Sequence, residues 1–251
     1  MLGNVECLIL AAGKGSRLSH RGEPKAAVPL LGRPIIEWVV AAAHGVGMNR
    51  FHVVTGYRSE NLIPVLLGCA EKLGVSIHPI LNTRWEQGSA VSFLSARAQI
   101  KGTFLLLMGD HIFDETILRR LFQEGIRGDE VRLAVDFRIR ENPFVDDGDA
   151  TKVLARGDRI ENIGKSISPY NAYDTGIFLC SPILFEKVDR ALPGSDQTLS
   201  GGVKELASEG KARILDIRDD RWVDVDDEKA YGAAVDLISG AGGYRDAGRG
   251  F

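Results

Sequence analysis

Up to about residue 140 the chain alternates between two rhythms. Short apolar runs closed by glycine or polar residues are followed by longer stretches with apolar side chains three or four positions apart. Residues 5–11 are mostly apolar and lie between Gly3 and Gly13, which predicts a strand buried on both faces. Pro34 then opens a helical pattern over 34–48, and 50–57 reads as a strand. Ser59 is placed to cap a helix that runs through an ill-suited Pro64 to Gly74. Residues 75–81 read as a strand, 89–100 as a helix, 102–110 as a buried strand, 115–126 as a helix and 130–139 as a strand. This order predicts an α/β fold, a Rossmann-like, mostly parallel sheet with helices on both faces.

The rhythm breaks after Arg140. Residues 151–165 read as a hairpin turning at Arg156, Gly157 and Asp158, and 172–181 as a further strand. These pieces suggest a small β-rich lobe, about residues 140–180, laid beside the sheet. Helices follow near 182–192 and 201–209, then a strand at 212–218, a loop at 222–227 and a last helix at 228–238. No internal repeat is visible. We expect residues 1–240 to form a single domain and the Gly-rich 241–251 to be a flexible tail or linker.

Composition narrows the function. The formal charge of -3 supplies no bulk positive field, so nucleic acid is not an expected partner. No apolar run approaches the roughly 18 to 20 residues that span a bilayer, so direct membrane insertion of this chain is not expected either. The first residues lack the basic n-region and cleavage site of a signal peptide. Cys7, Cys69 and Cys180 are scattered, with no CxxC, and suit reduced, buried thiols in a cytoplasmic protein. The five histidines show no ligand spacing, and no G-x-S-x-G is present.

The loop after the first strand holds the clearest chemistry. "AAGKGSRL" lacks the third glycine of the dinucleotide fingerprint, and "IGKS" lacks the first glycine of a P-loop. Gly13 and Gly15 nevertheless let backbone N–H groups approach a ligand, while Lys14, Arg17 and Lys25 add charge. A plain glycine turn with solvated cations uses the same residues. Position favours a ligand, because α/β sheets bind at the carboxyl ends of their strands. "LILAAGKGSRL" followed by "PKAAVPLLGRPII" resembles the G-x-G-[ST]-R…P-K signature of sugar-1-phosphate nucleotidyltransferases. The resemblance is close over the first 40 residues, agrees in pattern to about Ile238, and implies the nucleotide-diphospho-sugar transferase fold.

Asp110 closes the run "FLLLMGD" and faces the same rim as the loop, while alternation puts Asp224 and Asp226 of "WVDVDD" on one side. Carboxylates from two remote segments suit Mg²⁺. Asp226 or Asp227 could instead cap the last helix. The resemblance implies that Asp110 shares the metal with Asp224, or with Asp226 in the alternative form of the segment. It implies that Leu10, Ala11, Ala12, Gly13, Gly15 and Ser16 line the nucleotide, and that Asn82, Gly88, Ser89 and Ala90 read its base. Gly88 to Ala90 also suit a helix start. Lys25, Arg17 and Lys14 become the catalytic cations. Lys165 would meet the acceptor's phosphate, although it also suits an ordinary solvated lysine. Thr151, Lys152 and Asp174 would contact acceptor hydroxyls. His111 would touch the metal's water shell or make a structural hydrogen bond.

"MGDHIF", "DGDATKV" and "DTGIF" look most like the inositol-1-phosphate cytidylyltransferases. The implied reaction joins CTP and myo-inositol 1-phosphate, with Mg²⁺, to give CDP-inositol and pyrophosphate. Three alternatives stay open. One is another NTP:sugar-1-phosphate nucleotidyltransferase using UTP, dTTP or GTP. Another is a phosphocholine cytidylyltransferase, for which Tyr170 and Tyr173 are the clustered aromatics. The last is an inert nucleotide-binding module, which would not need Lys25, Asp110 and the late Asp pair. The resemblance also leaves room for fusion to a membrane transferase domain.

Overall fold

The computed structural model describes residues 5–139, 142, 145–194 and 198–240, so the expected tail at 241–251 lies outside the described residues. In chain order the first half runs β1 (Glu6–Ala11), β2 (Pro29–Leu30), β3 (Arg33–Pro34), α1 (Ile35–Gly45), β4 (Arg50–Thr55), α2 (Ser59–Leu73), β5 (Ser76–Leu81), α3 (Ser89–Leu94), β6 (Phe104–Met108), β7 (His111–Phe113), α4 (Thr116–Glu124) and β8 (Val131–Asp136). The second half runs β9 (Lys152–Arg156), β10 (Arg159–Gly164), β11 (Ala172–Cys180), α5 (Ile183–Ala191), α6 (Ser200–Ser208), β12 (Ala212–Asp216), β13 (Trp222–Asp224) and α7 (Glu228–Ser239).

A nine-stranded sheet in the order β5-β4-β1-β6-β11-β8-β12-β10-β9 divides two cores. Along β1 the side chains alternate between them. Cys7, Ile9 and Ala11 join the core under α1, α2 and α4, whereas Leu8 and Leu10 join the core under α3, α5 and α6. Both faces are therefore covered, which is why β1 and β6 read as unbroken apolar runs. Each fully buried Leu or Phe contributes about 1.5–3 kcal/mol. A third cluster matters more for the site. It packs Leu18, Val28 and Leu30 of the glycine loop region against Trp38, Ile112, Val223 and helix α7.

Five expectations are corrected. The parallel runs β5-β4-β1-β6 and β8-β12 are joined by β11, which is antiparallel to both β6 and β8, so the sheet is mixed. The β9–β10 hairpin is not laid beside the sheet but extends it, pairing through β10 with β12. The helix expected to reach residue 100 ends at Leu94, where the Ser95 hydroxyl donates to the Ser92 carbonyl at 2.6 Å and competes with the helical ladder. Residues 222–224, expected in a loop, form β13 against β7 and set Asp224 opposite His111. Ser59 is the first residue of α2 and caps nothing, with Arg58 ahead of it in the left-handed region. Asp227 accepts from the Ala230 N–H at 2.8 Å and caps α7, which leaves the Asp226 carboxylate to the site. Among the described residues no helix is long and apolar enough to cross a membrane.

Candidate active site

The glycine loop and Asp110 leave the sheet side by side. Strands β1 and β6 are parallel neighbours, and the Gly109 N–H donates to the Leu10 carbonyl at 2.9 Å. Gly15 sits at φ 59°, and a Cβ there would overlap the Lys25 side chain, so the loop folds back over Lys25 only because residue 15 is glycine. Leu18, fully buried, anchors the other limb of the loop in the third cluster.

Lys25 is 7 % exposed. Its ammonium contacts the Asp110 and Asp226 carboxylates and lies 3.4 Å from Asp224, so residues from three remote segments converge on one nitrogen. Burial opposes its charge, but Asp110, Asp224 and Asp226 outweigh that penalty and hold the amine above the usual lysine range. Lys25 therefore stays charged at neutral pH.

His111 stands beside this group. Its Nδ1 donates to the Thr175 carbonyl at 2.8 Å, which turns Nε2 toward Asp110 at 3.7 Å and Asp224 at 3.5 Å. Burial pulls the imidazole down, but Asp224 and Asp110 push it up to about 9. Gly176, at φ 74°, makes room for this ring, since a Cβ there would overlap it. Asp110, His111 and Asp224 bring ligand atoms within 4.8 Å of one another, a spacing that can hold a metal ion. Asp226 instead accepts from Arg17 at 2.7 Å and from Lys25.

Two cavities meet at this cluster. One, of about 330 Å³, is lined by Leu10, Ala11, Gly13, Gly15, Ser16 and Lys25. The other, of about 380 Å³, is lined by Ser89, Thr151, Lys165 and Asp174, with Thr198, Ser200 and Trp222. Arg17, Asp110 and Asp226 line both. Burial raises the Asp174 carboxyl to about 6, against the pull of the Gly176 N–H and of His111.

Several candidates lie elsewhere. Lys14 is exposed, with its ammonium 5.6 Å from the centre of the Tyr57 ring, and lines neither cavity. Ala12 is buried and accepts from the Tyr57 N–H through its carbonyl. Asn82 is 4 % exposed, donates to the Ser92 hydroxyl at 3.0 Å and accepts from the Arg84 N–H at 2.9 Å, so it braces the turn after β5. Gly88 opens α3, and Ala90 packs in the core. Lys152 turns away from the second cavity to the Asp147 carbonyl at 2.8 Å, above the Tyr170 ring.

Sequence reasoning missed two groups. Asp149, within the quoted "DGDATKV", binds both Arg17 and Lys165. Asp136, fully buried, accepts from the Trp222 indole at 2.9 Å and from Arg138, and so pins the start of β13. Asp114 holds the same strand through Arg221. An acidic residue at the end of an apolar strand was the available signal for Asp136.

The model of the MobA-like NTP transferase domain matches residues 7–165. A bifunctional IPC transferase and DIPP synthase of Rubrobacter xylanophilus is 30% identical over 239 residues, covering 94% of this chain and 52% of that protein. The protein of the same name from Aquifex aeolicus is 28% identical over 222 residues, covering 87% of this chain and 48% of its own length. The chain thus spans about half the length of these curated relatives. The solved inositol-1-phosphate CTP transferase from T. maritima superposes with a TM-score of 0.81 at 24% identity, over 94% of this chain and 96% of that one, a likeness of fold.

Proposed function

We propose a nucleotidyl transfer, and the premise is plain: the chain belongs to the MobA-like NTP transferase domain family. CTP and myo-inositol 1-phosphate are joined to give CDP-inositol, and pyrophosphate leaves. The observation that carries this reading is the pair of cavities meeting at Arg17, Asp110 and Asp226, with Lys25 at the junction. Two anionic substrates entering from either side would bring their reacting phosphates together there. The names of the Rubrobacter and Aquifex relatives and of the T. maritima structure support the choice of CTP and inositol phosphate.

The acceptor phosphate is already anionic at neutral pH, so attack on the α-phosphorus needs no general base. The protein's task is to bring two anions together and absorb charge as pyrophosphate departs. Leu10, Ala11, Gly13, Gly15 and Ser16 receive the nucleotide. Lys25 meets the α-phosphate, Arg17 and Lys14 take the leaving pyrophosphate, and Lys165 takes the acceptor phosphate. Thr151 and Asp174 offer hydrogen bonds to ring hydroxyls. Lys152 and Asn82, committed to their own neighbours, act as supports.

Asp110 and Asp224 offer hard carboxylate oxygens on either side of a cation, the Lys25 ammonium, and this donor set fits Mg²⁺. Bound there with the nucleotide, Mg²⁺ would neutralise phosphate oxygens around the α-phosphorus. Choline is a poor fit. Tyr170 and Tyr173 both donate to Asp147, at 2.6 and 2.8 Å, and neither lines the acceptor cavity. Residues 1–240 are read as one nucleotidyltransferase domain with its acceptor side near 140–180. The Rubrobacter and Aquifex relatives are named bifunctional and are about twice as long, so a partner transferase domain, fused or separate, belongs to this reading. The free, buried Cys7, Cys69 and Cys180 support the cytoplasm.

The test is pyrophosphate release with CTP, UTP, dTTP or GTP, each offered with inositol 1-phosphate, glucose 1-phosphate or phosphocholine. CTP with inositol 1-phosphate is expected to exceed every other pair by at least about tenfold. EDTA is expected to abolish release and Mg²⁺ to restore it. A faster alternative pair, or full turnover in EDTA, would contradict the reading.

A further inference from the structure

Asp149 stands where the two halves of the site touch. Its Oδ2 accepts from Arg17 Nη2 at 2.9 Å, across 132 positions of sequence, and its Oδ1 accepts from Lys165 Nζ at 2.5 Å. One carboxylate therefore holds a cation of the glycine loop and a cation of the β9–β10 hairpin.

The backbone explains the meeting. In the hairpin Lys152 pairs with Gly164, so the residues just before β9 and just after β10 leave at the same end. Asp149 is fixed there by a turn in which its N–H donates to the Asp146 carbonyl at 3.0 Å and the Ala150 N–H donates to the same carbonyl at 2.8 Å. The Lys165 side chain is 45% exposed and carries its charge on a flexible four-carbon stem. Arg17 differs, because Asp226 holds it independently at 2.7 Å. The Asp149 carboxyl is kept below the usual carboxylate range by Lys165, with Arg17 adding to the effect against partial burial.

We propose that Asp149 is a positioning residue that aims Lys165 at the acceptor's phosphate beside Arg17. This rests on the nucleotidyl-transfer reading above. As an anion Asp149 also repels a phosphate, but its charge is shared by two cations, so its constraint on Lys165 outweighs that repulsion. The effect falls on the acceptor rather than the nucleotide, since Arg17 keeps its second partner.

Asp149→Asn keeps the shape and removes the charge. Its KM for inositol 1-phosphate is expected to rise about tenfold, with kcat and the KM for CTP within about twofold of the wild type. Its melting temperature should stay within a few degrees, because exposed ion pairs add little stability. Adding Asp149→Asn to Lys165→Met should raise the acceptor KM no further, as expected of two residues acting through one contact. An unchanged or lower acceptor KM, equal losses for both substrates, or additive effects in the double variant would overturn the proposal. If the wild type releases no pyrophosphate from this pair, the reading of its substrates fails instead. The same comparison is then made with whichever phosphorylated acceptor supports turnover.

Discussion

Lys25→Met is expected to lower turnover by about 10²–10³-fold while the chain stays folded. Methionine matches the length of the buried stem, so the change is mainly one of charge. The lost ammonium lines the first cavity and meets three carboxylates at once, two of which, Asp110 and Asp226, line both cavities. In the transition state it would meet charge developing at the α-phosphate, where a preorganised donor costs no reorganisation. The fold should survive because Asp110, Asp224 and Asp226 are not sealed from water, with side chains 27%, 39% and 26% exposed. Arg17 and His111 remain as nearby cationic or proton-donating partners. Circular dichroism and pyrophosphate release check the two halves of the expectation. Turnover within tenfold of the wild type would remove Lys25 from the chemistry.

The second large effect separates the late aspartates. Asp110→Asn and Asp224→Asn are each expected to raise the Mg²⁺ concentration for half-maximal activity by about 10–100-fold or more. Asp226→Asn is expected to shift it by less than about threefold and to raise the KM for CTP instead. The geometry behind this is unequal. Asp224 groups with Asp110 and His111, whereas Asp226 is taken by Arg17 and Lys25. Metal-activation curves for the three variants decide it. A shift for Asp226→Asn as large as that for Asp224→Asn would make Asp226 an equal ligand.

Much of this architecture was legible because its causes are local. Strands buried on both faces must be apolar throughout, so β1 and β6 announce themselves, and a ligand loop at the end of such a strand needs glycine where it turns. What escaped depends on distant partners. β13 is three residues long and exists through its pairing with β7 and the hydrogen bond from Trp222 to Asp136. No periodicity reveals a strand of that length. The β9–β10 hairpin was legible as a hairpin, but its place at the end of the central sheet follows from the β10–β12 pairing. The site divides in the same way. Lys25 and Asp110 follow from a signature and a strand end. Asp149 looks like one acid among several in an acidic turn until folding brings Arg17 and Lys165 to it. Lys152 and Asn82 illustrate the reverse case: residues of suitable chemistry whose side chains are engaged beside the cavities.

On the proposed reading, with two cavities that share Arg17, Asp110 and Asp226, the acceptor phosphate would reach the α-phosphorus directly, with no nucleotidylated protein group between them. The stereochemistry at that phosphorus tests this most directly. With CTP made chiral by sulfur at the α-position, a single in-line displacement yields the sulfur-bearing analogue of CDP-inositol with inverted configuration at that phosphorus. Retention of configuration would require two displacements through a covalent intermediate, and would contradict the meeting of both substrates at Lys25 and Asp110.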